Sequence, residues 1–386
     1  MNMLLKDKKI AIVGGGPGGL ALARLLQLKG ADLKLYERDV NQDARLIGSP
    51  LDMHDGSGLK VIREANLLES FKKKYRPGAD KKIIVDPQAQ VFFTDHDTKS
   101  ADDFDNIYFR PEIDRGPLRS MLLDALAAGT VVWDSHFLSM EPQHEGWLMH
   151  FKNGHSAYAD LVIAADGVNS KIRPYLTDTK AFYSGVTMLE GNVHHPEKNA
   201  AQIYALLNGG KLMAYGNEKN LLMGLKGTGE LTYYASFKPA ENWAEDNGLD
   251  YTDNKQMLAW FKKEYADWNH IWYALFENAT TSFIPRRIYC MPLDQNWKPQ
   301  SNLTMIGDAA HAMPPFAGEG ANMAMLDALE LTDCLTAEKY GTLKDAISAY
   351  EINMRKRAAV AAKQSLDNGQ LMHSHDALTK MLRLFK

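Results

Sequence analysis

The chain is 386 residues long, 45% hydrophobic and 24% charged, with a formal net charge of -4. That length can bury a large core and suits two domains better than one, while the mixed, slightly acidic charge argues against a nucleic-acid surface. Two cysteines, Cys290 and Cys334, are too few for a disulfide framework or a cysteine-based metal site, so no metal and a reducing, cytoplasmic setting are expected.

The N-terminal residues become charged too quickly for a signal peptide, and no apolar run approaches the roughly 20 residues of a membrane span. Lys9-Ile-Ala-Ile-Val-Gly14 reads as a strand ending in glycines, followed by a helix over Gly18 to Lys29 and a second strand, Leu33 to Glu37: one βαβ unit. A turn at His54-Asp-Gly-Ser-Gly58 leads into a helix ending near Glu69. Short strands are expected over 82–104, a helix over Pro117 to Ala128, and a buried strand over Asp160 to Ala165. From about 180 to 285 alternating runs, including Gln202-Ile-Tyr-Ala-Leu-Leu207, Lys211 to Tyr215 and Leu231 to Phe237, suggest an antiparallel sheet. Hairpin turns are expected at Asn208-Gly-Gly and Gly227-Thr-Gly. Nucleotide-type patterning returns at Leu303 to Ile306, and a long helical region from Leu343 closes the chain.

Three loops carry the chemistry. In Gly14-Gly-Gly16-Pro-Gly-Gly19, Gly14 permits a tight turn, Gly16 lets the backbone approach a diphosphate, and Gly19 allows close helix–strand packing. The helix amides and dipole then face the phosphates, and Glu37, ending the second strand, can accept ribose hydroxyls. The second loop, Gly307-Asp308 through Gly318-Glu-Gly320-Ala321-Asn322, follows a strand. Asp308 suits a polyhydroxyl chain such as ribityl, Pro314-Pro315 stiffens the loop, and a helix over Ala321 to Leu335 aims its dipole at a flat ring. An NAD enzyme needs no such second loop. The third loop, Ala165-Asp166-Gly167-Val-Asn-Ser170-Lys-Ile-Arg173, also follows a strand.

These three motifs, in this order, resemble the group A FAD-dependent aromatic hydroxylases of the para-hydroxybenzoate hydroxylase superfamily. Within it the chain is most similar to the tetracycline-inactivating (TetX-like) monooxygenases, through Leu35-Tyr-Glu-Arg-Asp39, Leu51-Asp-Met-His-Asp-Gly-Ser-Gly58 and Met305 to Gly318. The resemblance implies an α/β fold: a Rossmann-like FAD-binding domain (GR2/PHBH-like) over 1–76, 104–178 and 284–342, an antiparallel substrate sheet domain over 77–103 and 179–283, and a bridging helix over 343–386. It implies FAD as cofactor, with NADPH or NADH as a transient co-substrate. Glu37 and Arg38 would bind the adenosine side, Arg115 and Asp52 would reach the cofactor, and Asp308 would hold ribityl or pyrophosphate. Gly307, Gly318, Gly320, Ala321 and Asn322 would join them, and Asp166 and Gly167 would serve both FAD and NAD(P)H.

The implied reaction passes one oxygen of O2 to an aromatic or polycyclic substrate through a C4a-hydroperoxyflavin, beside Pro315, Phe316, Ala317 and Gly318. No catalytic acid or base is required. Where TetX-like enzymes present glutamine, arginine and histidine to tetracycline, this chain has Glu190, Lys211 and Thr232. Met213, Asn368 and Met372 match substrate positions, Met223 replaces an aromatic, and Pro315 and Phe316 complete the set. Tetracycline degradation (antibiotic resistance) and hydroxylation of another aromatic are both compatible with this set. The rivals are a flavin reductase and a non-catalytic flavin- or drug-sequestering protein; a W-x-W-x-I-P halogenase motif is absent. A monomer is expected. His311 is expected to support its loop, Glu319 to cap the following helix, Arg355-Lys356-Arg357 to be a solvated face, and Met381-Leu-Arg-Leu-Phe-Lys386 to dock across the domains.

Overall fold

A computed structural model describes residues 4–44, 49–97 and 102–384. Its centre is a five-stranded parallel sheet in the order Leu303–Met305, Leu161–Ala164, Ile10–Val13, Leu33–Tyr36, Val131–Val132. Ile10–Val13 and Leu161–Ala164 are buried at every position, which explains why both read as continuous apolar runs. Helix Pro17–Leu28 covers one face and packs against helix Gly320–Thr336. A three-stranded antiparallel sheet, Phe137–Gln143, Gly146–Phe151 and Ser156–Ala159, flanks this unit.

A second, seven-stranded sheet is interleaved in the chain. Its order is Ile284–Cys290, Phe182–Val193, Leu231–Phe237, Asn220–Leu225, Lys211–Tyr215, Lys82–Val85, Val91–Thr94, antiparallel except where Lys211–Tyr215 pairs with Lys82–Val85. The sheet therefore extends past residue 283, through Cys290. One face carries an aromatic core of Tyr233, Trp260, Phe261, Tyr265, Phe276 and Phe283 beneath the helices at Ala201–Leu207, Asn254–Glu264 and Tyr273–Glu277.

Two sequence expectations fail here. Gln202 to Leu207 is helical, not a strand, because Ile203 and Leu207, four apart, are buried on one side. Asn208 and Gly209, with φ of +44° and +81°, end that helix in the left-handed region and do not form a hairpin. The Gly227-Thr-Gly hairpin forms as expected, between Asn220–Leu225 and Leu231–Phe237.

The C-terminal region is a 30-residue helix, Leu343–Met372, and after a break at His373 a short one, Ala377–Leu384. Ala377 and Met381 are buried in a small third core with Ile84, Tyr215 and Met372, so the short helix docks on the seven-stranded sheet. Phe385 and Lys386 lie outside the described residues. Among the described residues no helix is long and apolar enough to cross a membrane, and no cluster of His, Cys, Asp or Glu could hold a metal.

Candidate cofactor and substrate site

Strand Ile10–Val13 runs into Gly14, whose φ of +114° and approach to Ala165 admit no side chain: a Cβ there would lie 2.2 Å from the Ala165 carbonyl oxygen. A Cβ on Gly19 would lie 2.1 Å from the Gly14 oxygen, whereas one on Gly16 would meet nothing within 4 Å. The first and last glycines thus serve packing, and the middle one faces open space. The helix that starts at Pro17 has no side-chain cap and no acidic residue in its first turn, which leaves its positive end to an outside anion. Glu37 is buried beside the loop: Oε2 accepts the Gly15 N–H at 2.6 Å and Oε1 accepts the Asp39 N–H at 2.9 Å. Arg38, next to it, is exposed.

Two further loops converge on this one. Asp166 accepts the Lys171 N–H through Oδ2 at 2.9 Å, while its Oδ1 is buried without a partner, and burial raises its pKa. Gly167, at φ +86°, has open space where a Cβ would stand. Arg173 is buried and donates to the carbonyls of Ala309 (2.7 Å), Val168 (2.9 Å) and Asp308 (3.0 Å), fastening the 165–173 loop to the 307–322 loop. Gly307, at φ +58°, gives its N–H to Asp327 Oδ2 at 2.8 Å. The same oxygen receives His311 Nε2 at 2.6 Å, and Arg357 Nη2 reaches Asp327 Oδ1 at 2.6 Å. His311 therefore supports the loop, as expected. The basic stretch is no solvated face: Arg357 also pairs with Glu330, and the Arg355 guanidinium sits 4.7 Å from the Trp297 ring centre.

Asp308 reaches solvent, but desolvation of its carboxyl raises its pKa against the pull of His311, Arg115 and Arg173. Arg115, also exposed, donates Nε to the Ser49 carbonyl at 3.1 Å. Asn322 is the knot of the far end. Its Nδ2 donates to the carbonyls of Asp52 (2.9 Å) and Gly318 (3.2 Å). Its Oδ1 accepts the N–H groups of His54 (3.0 Å) and Gly58 (3.1 Å). Pro315–Ala317 is a single 3-10 turn ended by Gly318 at φ +69°. Glu319 does not cap the helix that follows; it pairs with His54.

The second face of the seven-stranded sheet looks toward this loop. Register places Lys211, Met213, Thr232 and Glu190 on it, together with Leu222, Tyr234 and Arg286. Lys211 is paired with buried Glu112, and Glu190 with Arg286. Burial pushes the Glu112 carboxyl up to about 6 against the pull of Lys211. Met223 is a correction: on a strand that alternates faces it points the other way, into the aromatic core. Phe316 meets this face at the third core with Met213 and Met372, and Asn368 Nδ2 donates to its carbonyl at 3.1 Å. Behind Phe316 lies a cavity of about 140 Å³ lined in part by Val186, Pro314, Gly369 and His373.

The residues therefore divide as follows. Gly14, Gly16 and Gly19, with Glu37 beside them, Asp166 and Gly167, and Gly307, Asp308, Gly318 and Asn322 lie on three neighbouring loops: Gly14 abuts Ala165, Arg173 fastens the second loop to the third, and Asn322 ties the second to the Asp52–Gly58 segment. His54, Arg173 and Asp327 were missed as site residues; their partners lie up to 268 positions away, so no spacing announces them.

FAD fits this arrangement. Gly16, Gly167 and Gly320 all present backbone to open space, Asp166 keeps a buried oxygen without a donor, and two helices begin without capping side chains.

Comparison with known proteins agrees. The family described as FAD binding domain matches residues 7–365. A 6-hydroxynicotinate 3-monooxygenase of Pseudomonas fluorescens is 25% identical over 96% of this chain and 94% of its own. Among solved structures, Klebsiella pneumoniae HpxO complexed with FAD and uric acid has a TM-score of 0.76 at 20% identity, covering 99% of this chain and 93% of its own. Tetracycline destructase Tet(55) has a TM-score of 0.77 at 18% identity, covering 99% of this chain and 96% of its own.

Proposed function

As this chain belongs to the FAD binding domain family, we propose that it is an FAD-dependent monooxygenase of the aromatic-hydroxylase type that consumes NAD(P)H. The observation that carries the reading is the tie from Arg173 to Ala309 and Asp308, which holds the second and third loops together next to the glycine turn, where Gly14 abuts Ala165. The diphosphate would lie over Gly16 at the start of helix Pro17–Leu28, the adenosine end by Glu37 and Arg38, and ribityl by Asp308 with Arg115 and Asp52 near. Pro315 to Gly318 would flank the ring, with Gly320, Ala321 and Asn322 at its helix end. When bound, FAD supplies the oxygen chemistry, in which NAD(P)H, a proton, O2 and substrate give NAD(P)+, water and hydroxylated product.

The chain's own part is to orient substrate and exclude water. Met213, Leu222, Phe316 and Met372 make an apolar wall, and Lys211, Glu190 and Thr232 make the polar edge. The substrate is a small aromatic or polycyclic compound. Tetracycline belongs to that range through the likeness to Tet(55), but the polar edge favours another aromatic: Lys211 is already held by Glu112, which leaves it no spare charge for an anionic enolate ring, and Glu190 is already paired with Arg286.

The test is a substrate panel, including tetracycline, 6-hydroxynicotinate and uric acid, scored by stimulated NADPH or NADH oxidation and by product mass. One oxygen atom gained per NAD(P)H oxidised supports the reading. NAD(P)H oxidation with no oxygenated product from any compound points to a reductase, and bound FAD with no stimulation at all to a sequestering protein.

A further inference from the structure

His54 sits between two carboxylates. Its Nε2 lies 3.0 Å from Asp52 Oδ2 and its Nδ1 3.2 Å from Glu319 Oε1, with the ring buried. A carboxylate oxygen only accepts, and a neutral imidazole has one N–H to give. The Asp52 contact is a hydrogen bond and the Glu319 contact an ion-pair distance, and a buried ring set between two carboxylates is stabilised in its doubly protonated, charged form. We infer that His54 is a standing imidazolium that clamps the loop around Gly318–Gly320 onto the Leu51–Asp52 strand, and so acts as a positioning residue for the flavin-facing loop.

The surroundings agree with that assignment. Asp52 and Glu319 belong to segments 267 residues apart, so the ring is the bridge between them. Gly318 packs close to the same carboxylate: a Cβ there would lie 3.1 Å from Asp52 Oδ1. Asn322 closes the second side of the clamp through the His54 N–H and the Asp52 and Gly318 carbonyls. The other charges near are Lys211, which acts on Asp52 from the substrate sheet, and Glu112, opposite Asp52 in the two-stranded pairing. Burial works against a charged imidazole, but the two carboxylates prevail and hold His54 at about 9. The clamp is thus closed at neutral pH and released in alkali.

The inference uses the cofactor reading for one of its two tests. In the first, apoprotein is titrated with FAD by flavin fluorescence at about pH 7 and about pH 9.5, for the wild type, His54→Gln and Glu319→Gln. The wild type should bind about threefold more weakly at the higher pH, where His54 is only partly deprotonated, and His54→Gln should be about tenfold weaker at neutral pH with little further change. Glu319→Gln, which keeps an acceptor but removes one charge, should fall between them. Equal affinity of wild type and His54→Gln at both pH values would overturn the inference, as would an unchanged pH slope in the variant. The second test needs no flavin: nitrogen NMR near pH 8 should show a ring with both nitrogens protonated in the wild type that is missing from His54→Gln, which distinguishes it from His311 against Asp327. Its absence would overturn the inference. Wild-type protein that takes up no FAD at any pH would instead count against the cofactor reading, with the NMR result still deciding the state of His54.

Discussion

Arg173 reaches across 136 residues to place its Nε 2.7 Å from the carbonyl oxygen of Ala309. Its Nη2 serves Val168 and Asp308 as well, so one guanidinium satisfies three backbone acceptors in two loops. Only a planar, multi-pronged cation does this.

Arg173→Ala should therefore cost about 3 kcal/mol of stability, since charge-assisted hydrogen bonds to buried acceptors are lost together. Arg173→Lys should recover only a fraction, because an ammonium cannot reach all three carbonyls. Urea unfolding and FAD affinity measure the two consequences. A variant that unfolds at the wild-type urea concentration would remove the loop-fastening role.

His373, at the break after the long helix, is buried and held neutral. Its Nδ1 donates to the Gly369 carbonyl (2.7 Å), and Nε2 accepts from Ser236 Oγ (2.7 Å) and Asn220 Nδ2 (3.1 Å). Burial pushes its pKa down to about 4, below the usual 6.5. Between those values the unfolded chain binds the proton and the folded chain does not. The stability from this site is thus complete above about pH 6.5 and lost as pH falls toward 4, a difference of about 3 kcal/mol. Unfolding free energies of wild type and His373→Gln across that window should show a shallower acid slope in the variant. Parallel slopes would mean that another group carries the acid sensitivity.

The glycine loop, the acid at the end of the second strand and the order of the three motifs were legible because each is local: a strand, a turn and a helix start within a few residues. The sheet face carrying Lys211 and Met213 was legible for the same reason, by alternation along one strand. Met223 was not, because its place where the family has an aromatic said nothing of which way its strand alternates. Gln202 to Leu207 read as a strand because a short run, apolar from Ile203 onward, fits both periods, and only burial of Ile203 with Leu207 separates them. The Asp52–His54–Glu319 clamp depends on tertiary approach, and Glu319 stands where a helix cap is the ordinary reading.

Gly369 faces the Phe316 ring: a Cβ at 369 would lie 2.7 Å from Phe316 Cδ2. Alanine there gains about 1 kcal/mol of helix preference, against a similar cost of crowding. The ring can retreat into the cavity behind it, so Gly369→Ala should leave stability within about 1 kcal/mol of wild type while moving Phe316. A crystal structure of the variant reads the ring position directly. An unmoved ring together with a loss of several kcal/mol would show that the contact is rigid.

Gly14 and Gly16 lie two residues apart and should fail in opposite ways. Gly14→Ala combines a φ of +114° with a methyl 2.2 Å from a carbonyl oxygen, so the turn cannot close and the apoprotein should be strongly destabilised, by about 3 kcal/mol or more. Gly16 has ordinary backbone angles, φ -76° and ψ 177°, and open space at its Cβ. Gly16→Ala should leave the apoprotein within about 0.5 kcal/mol of wild type and yet weaken FAD binding about tenfold or more, because the methyl occupies the approach to a diphosphate. Melting of the two apoproteins, followed by FAD titration of whichever remain folded, separates a structural glycine from a binding one. Equal FAD affinity in Gly16→Ala and wild type would place the diphosphate elsewhere.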